Sequence, residues 1–295
     1  MNKPIYKLLD WIDESKLDLG SLSLNPNEGA IELLKANPDK INWNKLSENT
    51  GAIDLLTANQ DKISWVYLSA NKNAIELLKA NPDKIVWGCL SENPNGIEIL
   101  KDNINEIKWD FISEHPKAVE LLKENLDKVD CEYLSCNSGA IELLKANNDK
   151  IRWKYLSYNP NAIQLLKANQ DKINWDILSA NPSAIELLTA NQDKIKWLWL
   201  SGNPNAIKLL EANQDNINWA NLSSNENAIE LLKANQDKIV WRHLSSNPSI
   251  FKLDYKQMEI NFEPLAEEIV AKALHPKRIE RLMRDYNFDF EDWFD

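Results

Sequence analysis

Ile41-Asn42-Trp43-Asn44-Lys45-Leu46-Ser47-Glu48-Asn49 decides how this chain is read, because the stretch returns every 22 residues. Trp43 recurs as Trp65, Trp87 and Trp109, gives way to Cys131, and returns as Trp153, Trp175, Trp197, Trp219 and Trp241. The step is constant (65 − 43 = 22, 87 − 65 = 22), with no insertion through Trp241. Fixed self-similarity of this length marks a stacked array in which each unit contacts only its neighbours.

Each unit has two halves. The first is typified by Asn159-Pro160-Asn161-Ala162-Ile163-Gln164-Leu165-Leu166-Lys167-Ala168-Asn169. Asn before Pro starts a helix, because the amide side chain accepts an orphan N–H and Pro sits at N1 with its φ preset. Ala, Leu, Glu and Lys then favour a short helix, A. The closing Asn column, Asn37 to Asn235, suits a left-handed C-terminal cap or the N-cap of the next helix. In the second half, Gln-Asp-Lys-Ile-x-Trp-x-x-Leu-Ser-x-Asn, the spacing puts Trp, Leu and Ser on one face of a helix, B. Helix B begins either at Pro38 after an Asn37 cap or near Asn42 after an extended link. The expected fold is an all-α solenoid of about ten 22-residue two-helix repeats with N- and C-terminal caps. The alternative is a leucine-rich-repeat-like α/β solenoid, since Ile41-x-Trp43 alternates like a strand and that period covers this length. Its leucine spacing does not fit here.

Helices this short are unstable alone. Ile31, Leu33, Leu34, Ile41, Trp43 and Leu46 are therefore expected to stack on their equivalents, each buried side chain contributing roughly 1.5–3 kcal/mol. On this reading the Trp column is core, Cys131 is an apolar filler, and the Ser column from Ser47 to Ser245 is a hydrogen-bonding turn element. Residues 1–27 read as an N-terminal cap holding a degenerate repeat, with Leu17, Leu19 and Leu22-Ser23 standing for Ile, Trp and Leu-Ser. A two-residue insertion, Glu28-Gly29, precedes the regular register, and the array fills residues 28–250. Residues 251–295 read as a C-terminal helical cap, with helices over Glu263–Leu274 and His275–Arg284 and an acidic aromatic tail, Phe288–Asp295.

A net charge of −11 and a pI near 5.0 argue against nucleic acid, which demands a basic stripe. No apolar run approaches the roughly 20 residues of a membrane helix, and Met1–Asp10 lacks a signal-peptide core. Cys89, Cys131 and Cys136 have neither the number nor the spacing of a disulfide framework or zinc site, which implies a reducing, intracellular setting. His115, His243 and His275 occur in unrelated contexts, and no phosphate loop, HExxH or nucleophile elbow is present. The chain reads as a non-enzyme without cofactor or metal.

Function in an array sits where the period leaves freedom. The column two after Trp runs Lys45, Tyr67, Cys89, Phe111, Tyr133, Tyr155, Ile177, Trp199, Asn221, His243. Aromatics ranked along one solenoid face are typical binding anchors, so Tyr67, Phe111, Tyr133, Tyr155, Leu198 and Trp199 are the candidate partner-binding residues. Leu198-Trp199 is read as the place where this column and its neighbour turn apolar together. Glu and Lys rows three apart on helix A, such as Glu76 and Lys79, read as solvated ion pairs.

The unit Leu-Ser-x-Asn-Pro-x-Ala-Ile-x-Leu-Leu-x-Ala-Asn-x-Asp-Lys-Ile-x-Trp, over about residues 24–250, resembles a short helical repeat of giant amoeba-infecting DNA viruses of the mimivirus type. His275-Pro276-Lys277-Arg278-Ile279 and the acidic aromatic end look like tails on other proteins of such viruses. The resemblance implies a host-cytoplasmic or virion setting and carries no functional residues. The expectation is a scaffold that binds a partner protein along the solenoid face; the alternative is a structural or assembly component of a virus particle that packs on its own copies.

Overall fold

A computed structural model describes residues 4–273 together with His275, Lys277, Arg278 and Arg281. The chain is an all-α solenoid. Its described parts divide into two compact units, Leu8–Phe251 and the two terminal segments 1–7 and 252–295.

Within the Leu8–Phe251 unit a repeat is four short pieces. Pro160–Ala162 forms a 3-10 turn capped by Asn159, helix A is Ile163–Lys167, Gln170–Lys172 forms a second 3-10 turn, and helix B is Trp175–Leu178. Helix B thus starts at Trp, after an extended Ile173-Asn174. Asn174 caps it by accepting from the Ile177 N–H at 3.0 Å. The closing Asn is not left-handed: Asn169 has φ −137°. Its Nδ2 donates instead to the Leu165 carbonyl at 2.9 Å, occupying a C-terminal acceptor of helix A.

The core is narrower than the sequence suggests. Leu34, Leu46, Leu56, Leu68 and their equivalents through Leu244 have no exposed surface, and Ile31 is also buried. Leu33 and Trp43 are only half-buried, as is every Trp of the column, and Ile41 is half-buried although most of its column, Ile63, Ile107, Ile151, Ile173, Ile195, Ile217 and Ile239, is buried. An indole is too large to disappear between units this thin, so one face stays open and a cation covers it. Lys62 lies over Trp43, Lys128 over Trp109, Lys172 over Trp153, Lys194 over Trp175 and Lys238 over Trp219, with Nζ 4.6–4.8 Å from the ring centres. Each lysine comes from the next unit. Cys131 is likewise half-buried.

Two polar columns join unit to unit. Asn159 accepts from the Asn161 N–H at 3.0 Å while its Nδ2 donates to the carbonyls of Ser135 (3.1 Å) and Asn137 (2.8 Å) in the preceding unit. Ser157 Oγ donates to the Trp153 carbonyl at 2.9 Å and accepts from Asn174 N–H, in the next unit, at 3.0 Å. Both side chains have no exposed surface. Among the described residues every buried side-chain nitrogen and oxygen finds a partner.

The same ladder closes the array on itself. Asn25 Nδ2 donates to the carbonyls of Ser245 (3.1 Å) and Asn247 (2.8 Å), and the Asp18 N–H donates to Ser245 Oγ at 2.9 Å. Lys16 lies over Trp241, 5.1 Å from its centre, and the Leu9 N–H donates to the Ile250 carbonyl at 2.9 Å. Residues 8–27 are therefore not a cap on an open end. They are the unit that follows the last one, and eleven units share a turn. B helices of successive units approach more closely than A helices do. In a closed ring the spacing of equivalent points grows with distance from the axis, so the B row is the inner row. The Glu28-Gly29 insertion lengthens one A helix to Glu28–Ala36. Gly51 answers at the neighbouring turn, where a Cβ would run into the Pro26 carbonyl.

The terminal segments depart from expectation. Tyr6–Leu8 and Phe251–Leu253 pair as two short strands, and Lys7 meets Asp254 at 3.2 Å. One helix runs Tyr255–Ala273 with Pro264 inside it, rather than starting at that proline. The tail Phe288–Asp295 and most of the second expected helix lie outside the described residues.

Two measurements test this account. Asn25→Ala removes three hydrogen bonds and leaves buried carbonyls without a donor, a loss of about 2–3 kcal/mol. If the ring is closed, urea unfolding shows as large a loss as for Asn181→Ala inside the array, and hydrogen exchange rises in both 8–27 and 241–251. An open array would make Asn25→Ala nearly silent. Glu106 and Asn216 stand where other units carry the Trp-covering lysine, over Trp87 and Trp197. Lysine at either position should add about 0.5–1 kcal/mol, read as a rise in urea midpoint.

Candidate partner-binding face

On the inner B row, the two columns that follow Trp and the residue after Ser face solvent wherever packing does not claim them. Leu198 is 50% exposed and Trp199 51%, both on the four-residue helix Trp197–Leu200. Leu200, which follows them, is fully buried, so helix B turns this apolar pair outward while anchoring itself through its Leu. Tyr67 is 43% exposed, and Val66 beside it 50%. Val66-Tyr67 is thus a second apolar pair, overlooked above although both residues stand in the same two columns. Tyr158, after Ser157, is also exposed and was missed because its column elsewhere carries small or acidic residues.

Phe111, Tyr133 and Tyr155 behave differently. They are half-buried, and Phe111 meets Tyr133 edge to face, with centroids 5.9 Å apart and planes at 64°. Such a pair stabilises its own stack. Lys154 covers the Tyr155 ring at 5.2 Å, and the Glu132 carboxylate near its hydroxyl, together with burial, pushes the Tyr155 pKa up. The six candidates thus split into an exposed group and a packed group.

Around the packed group the electrostatics are acidic. Burial pushes the Glu92 and Glu114 carboxyls up, and the charge of Glu92 adds to the effect on Glu114. Both remain solvent-exposed, so they are crowded by neighbours without being sealed from water. Tyr133 is raised by burial first, then by Asp130, Glu92, Glu114 and Asp110. Burial, helped by Glu114 and Glu132, pushes the Cys136 thiol up to about 12, and Cys89 is raised by burial and Glu92. Both thiols stay protonated near neutrality and make poor nucleophiles or metal ligands. Among the described residues no group of three or more His, Cys, Asp or Glu is arranged to hold a metal. No helix there is long and apolar enough to cross a membrane.

His115 belongs to the ladder rather than to the face. It replaces Asn: its Nδ1 accepts from the Lys117 N–H at 3.1 Å and its Nε2 donates to the Asn93 carbonyl at 3.0 Å. It reaches one carbonyl where Asn reaches two, and the neighbouring Lys108 N–H to Ser91 Oγ bond is stretched to 3.4 Å. Comparison of the chain with protein-family models, with curated proteins and with solved structures returns no match.

His115→Asn tests the ladder's chemistry. Burial holds the His115 pKa below its ordinary 6.5. The unfolded chain therefore takes up the proton first, and His115 withdraws stability as pH falls below 6.5 toward the folded pKa. The Asn variant should be more stable by about 1 kcal/mol at pH 7, with the gap widening at pH 5. Thermal melts across that range check it; a gap that narrows on acidification would refute the assignment.

Proposed function

We propose that this chain is a non-enzymatic scaffold that binds a partner protein along the B-helix face of its repeat array. The observation carrying this reading is the pair of exposed apolar doublets, Val66-Tyr67 and Leu198-Trp199, where two large apolar side chains stand bare side by side on one B helix. Large side chains left bare together, on helices whose anchoring leucines, Leu68 and Leu200, are fully buried, favour recognition over packing. Six units separate Tyr67 from Trp199 (199 − 67 = 132, six steps of 22), so in a ring of eleven the doublets stand almost opposite each other. The resemblance to giant-virus repeats adds a proposed setting, the infected host cytoplasm or the virus particle. A closed array offers no free end for stacking copies end to end, which weighs against assembly as its main role.

Leu198→Ala/Trp199→Ala decides between the readings. The expectation is a folded, monomeric variant that loses by about thirty-fold or more a partner retained by the wild type, measured by capture followed by titration with the purified partner. Equal retention would remove the doublet from the site. A change of mass in light scattering, with copies of the chain as the sole capture, would replace the scaffold by a self-assembling component.

A further inference from the structure

On several A helices an exposed glutamate pairs with the lysine three residues on. Glu32 meets Lys35, Glu76 meets Lys79, Glu98 meets Lys101, Glu120 meets Lys123 and Glu142 meets Lys145, all at 2.7–3.0 Å. Glu186 reaches across units to Lys167 at 2.7 Å. The B row does not follow this habit between Trp87 and Cys136. Glu92, Asp110, Glu114 and Glu132 are exposed there, and among the described residues none is in an ion pair with a lysine, arginine or histidine. They crowd one another closely enough to act on the same groups: Glu92 raises Glu114, and Asp110, Glu92 and Glu114 all raise Tyr133.

Among these carboxylates stand Phe111, Tyr133, Tyr155 and, exposed beside them, Tyr158. Elsewhere in this chain aromatic faces accept ammonium groups as a rule, since lysines cover the Trp rings unit after unit. Lys154 over Tyr155 supplies one such cation at the edge of the sector. The surface thus combines apolar area with carboxylates held in no ion pair among the described residues, and the complement of that combination is a cationic, partly apolar chain.

We propose that the B-row sector formed by Glu92, Asp110, Phe111, Glu114, Glu132 and Tyr133 docks a basic segment of a partner protein, with lysine or arginine interleaved with apolar side chains. This rests on the partner-binding reading above and specifies its chemistry. Cations of the segment meet the carboxylates, and its apolar side chains lie on the rings and extend toward Tyr158. Recognition of this kind draws its on-rate from charge and weakens with salt.

The test uses the full chain and two labelled dodecapeptides, one alternating lysine with leucine and one alternating glutamate with leucine, followed by fluorescence anisotropy. The lysine peptide should bind, lose affinity between low and physiological salt, and bind Glu92→Gln/Glu114→Gln about five-fold or more weakly. The glutamate peptide should not bind. The Gln variants keep side-chain shape, and a thermal melt verifies that they fold. Equal binding of the lysine peptide to wild type and Gln variants overturns the sector. Binding of both peptides alike overturns the basic partner but leaves a protein-binding face. If neither binds, the basic partner is overturned, and the wider reading stands or falls on the Leu198/Trp199 variant alone.

Discussion

The bond from one buried asparagine to two carbonyls of the unit before it is the interaction on which this structure depends. Helices of four to six residues have at least as many orphan backbone groups as satisfied ones. A chain built only of such helices must find partners for those groups outside the helices. The Asn column does so in three directions at once, forward to its own turn and backward to two carbonyls. The Ser column adds an acceptor for the N–H just before the next helix B. Each side chain bonds both within its unit and across the joint, so spacing and register between units are set by geometry that leucine packing alone would leave loose.

Because the joint is directional, its angle adds from unit to unit. Eleven equal steps return Asn25 to Ser245 and Asn247, where it makes the bonds any internal Asn makes. Closure therefore needs no special device in the ladder, only the right number of units and an N-terminal segment that keeps Ser23 and Asn25 in place. It also explains why Leu17 and Leu19 can replace the Ile and Trp of their columns while Leu22, Ser23 and Asn25 cannot be spared: the latter three are fully buried at the seam.

The repeat, its helical class and the N-capping role of Asn before Pro were legible in the sequence, since each follows from local spacing and backbone chemistry. The role of the Trp column was not. Periodicity places Trp43 on the same stripe as Leu46, but it says nothing of how much of an indole fits between thin units, and Lys62 arriving over the ring comes from 19 residues on. Closure was equally illegible, because the bond between Asn25 and Ser245 spans 220 residues and depends on an angle per unit that no residue encodes alone. In the candidate face, the variable columns could be found by alignment of the units. Their division into bare doublets and packed rings could not, since Tyr67 and Tyr133 occupy the same column and differ in what the neighbouring units offer them, Phe111 of the preceding unit in the case of Tyr133.

That division bears on where recognition lies. A side chain that the period fixes is already occupied twice over by the ladder or the core, and changing it alters the joint before it alters any surface. The columns after Trp escape this constraint: Leu46 and Ser47 hold the helix whatever stands at Lys45 or Glu48. Here the chain is free to place Lys45 and Arg242 near Asp18, whose pKa is lowered first by its hydrogen bonds with Ser21 and then by both cations, and to concentrate acids around Tyr133 several units away. Lysine rows on the A helices could have neutralised those acids had similar spacing been used on helix B, where Cys89, Phe111 and Tyr133 stand instead. The sector around Tyr133 leaves Glu92, Asp110, Glu114 and Glu132 outside any ion pair among the described residues, while Glu32, Glu76, Glu98, Glu120 and Glu142 along the outer row each meet a lysine, and the field of such a sector favours a cation.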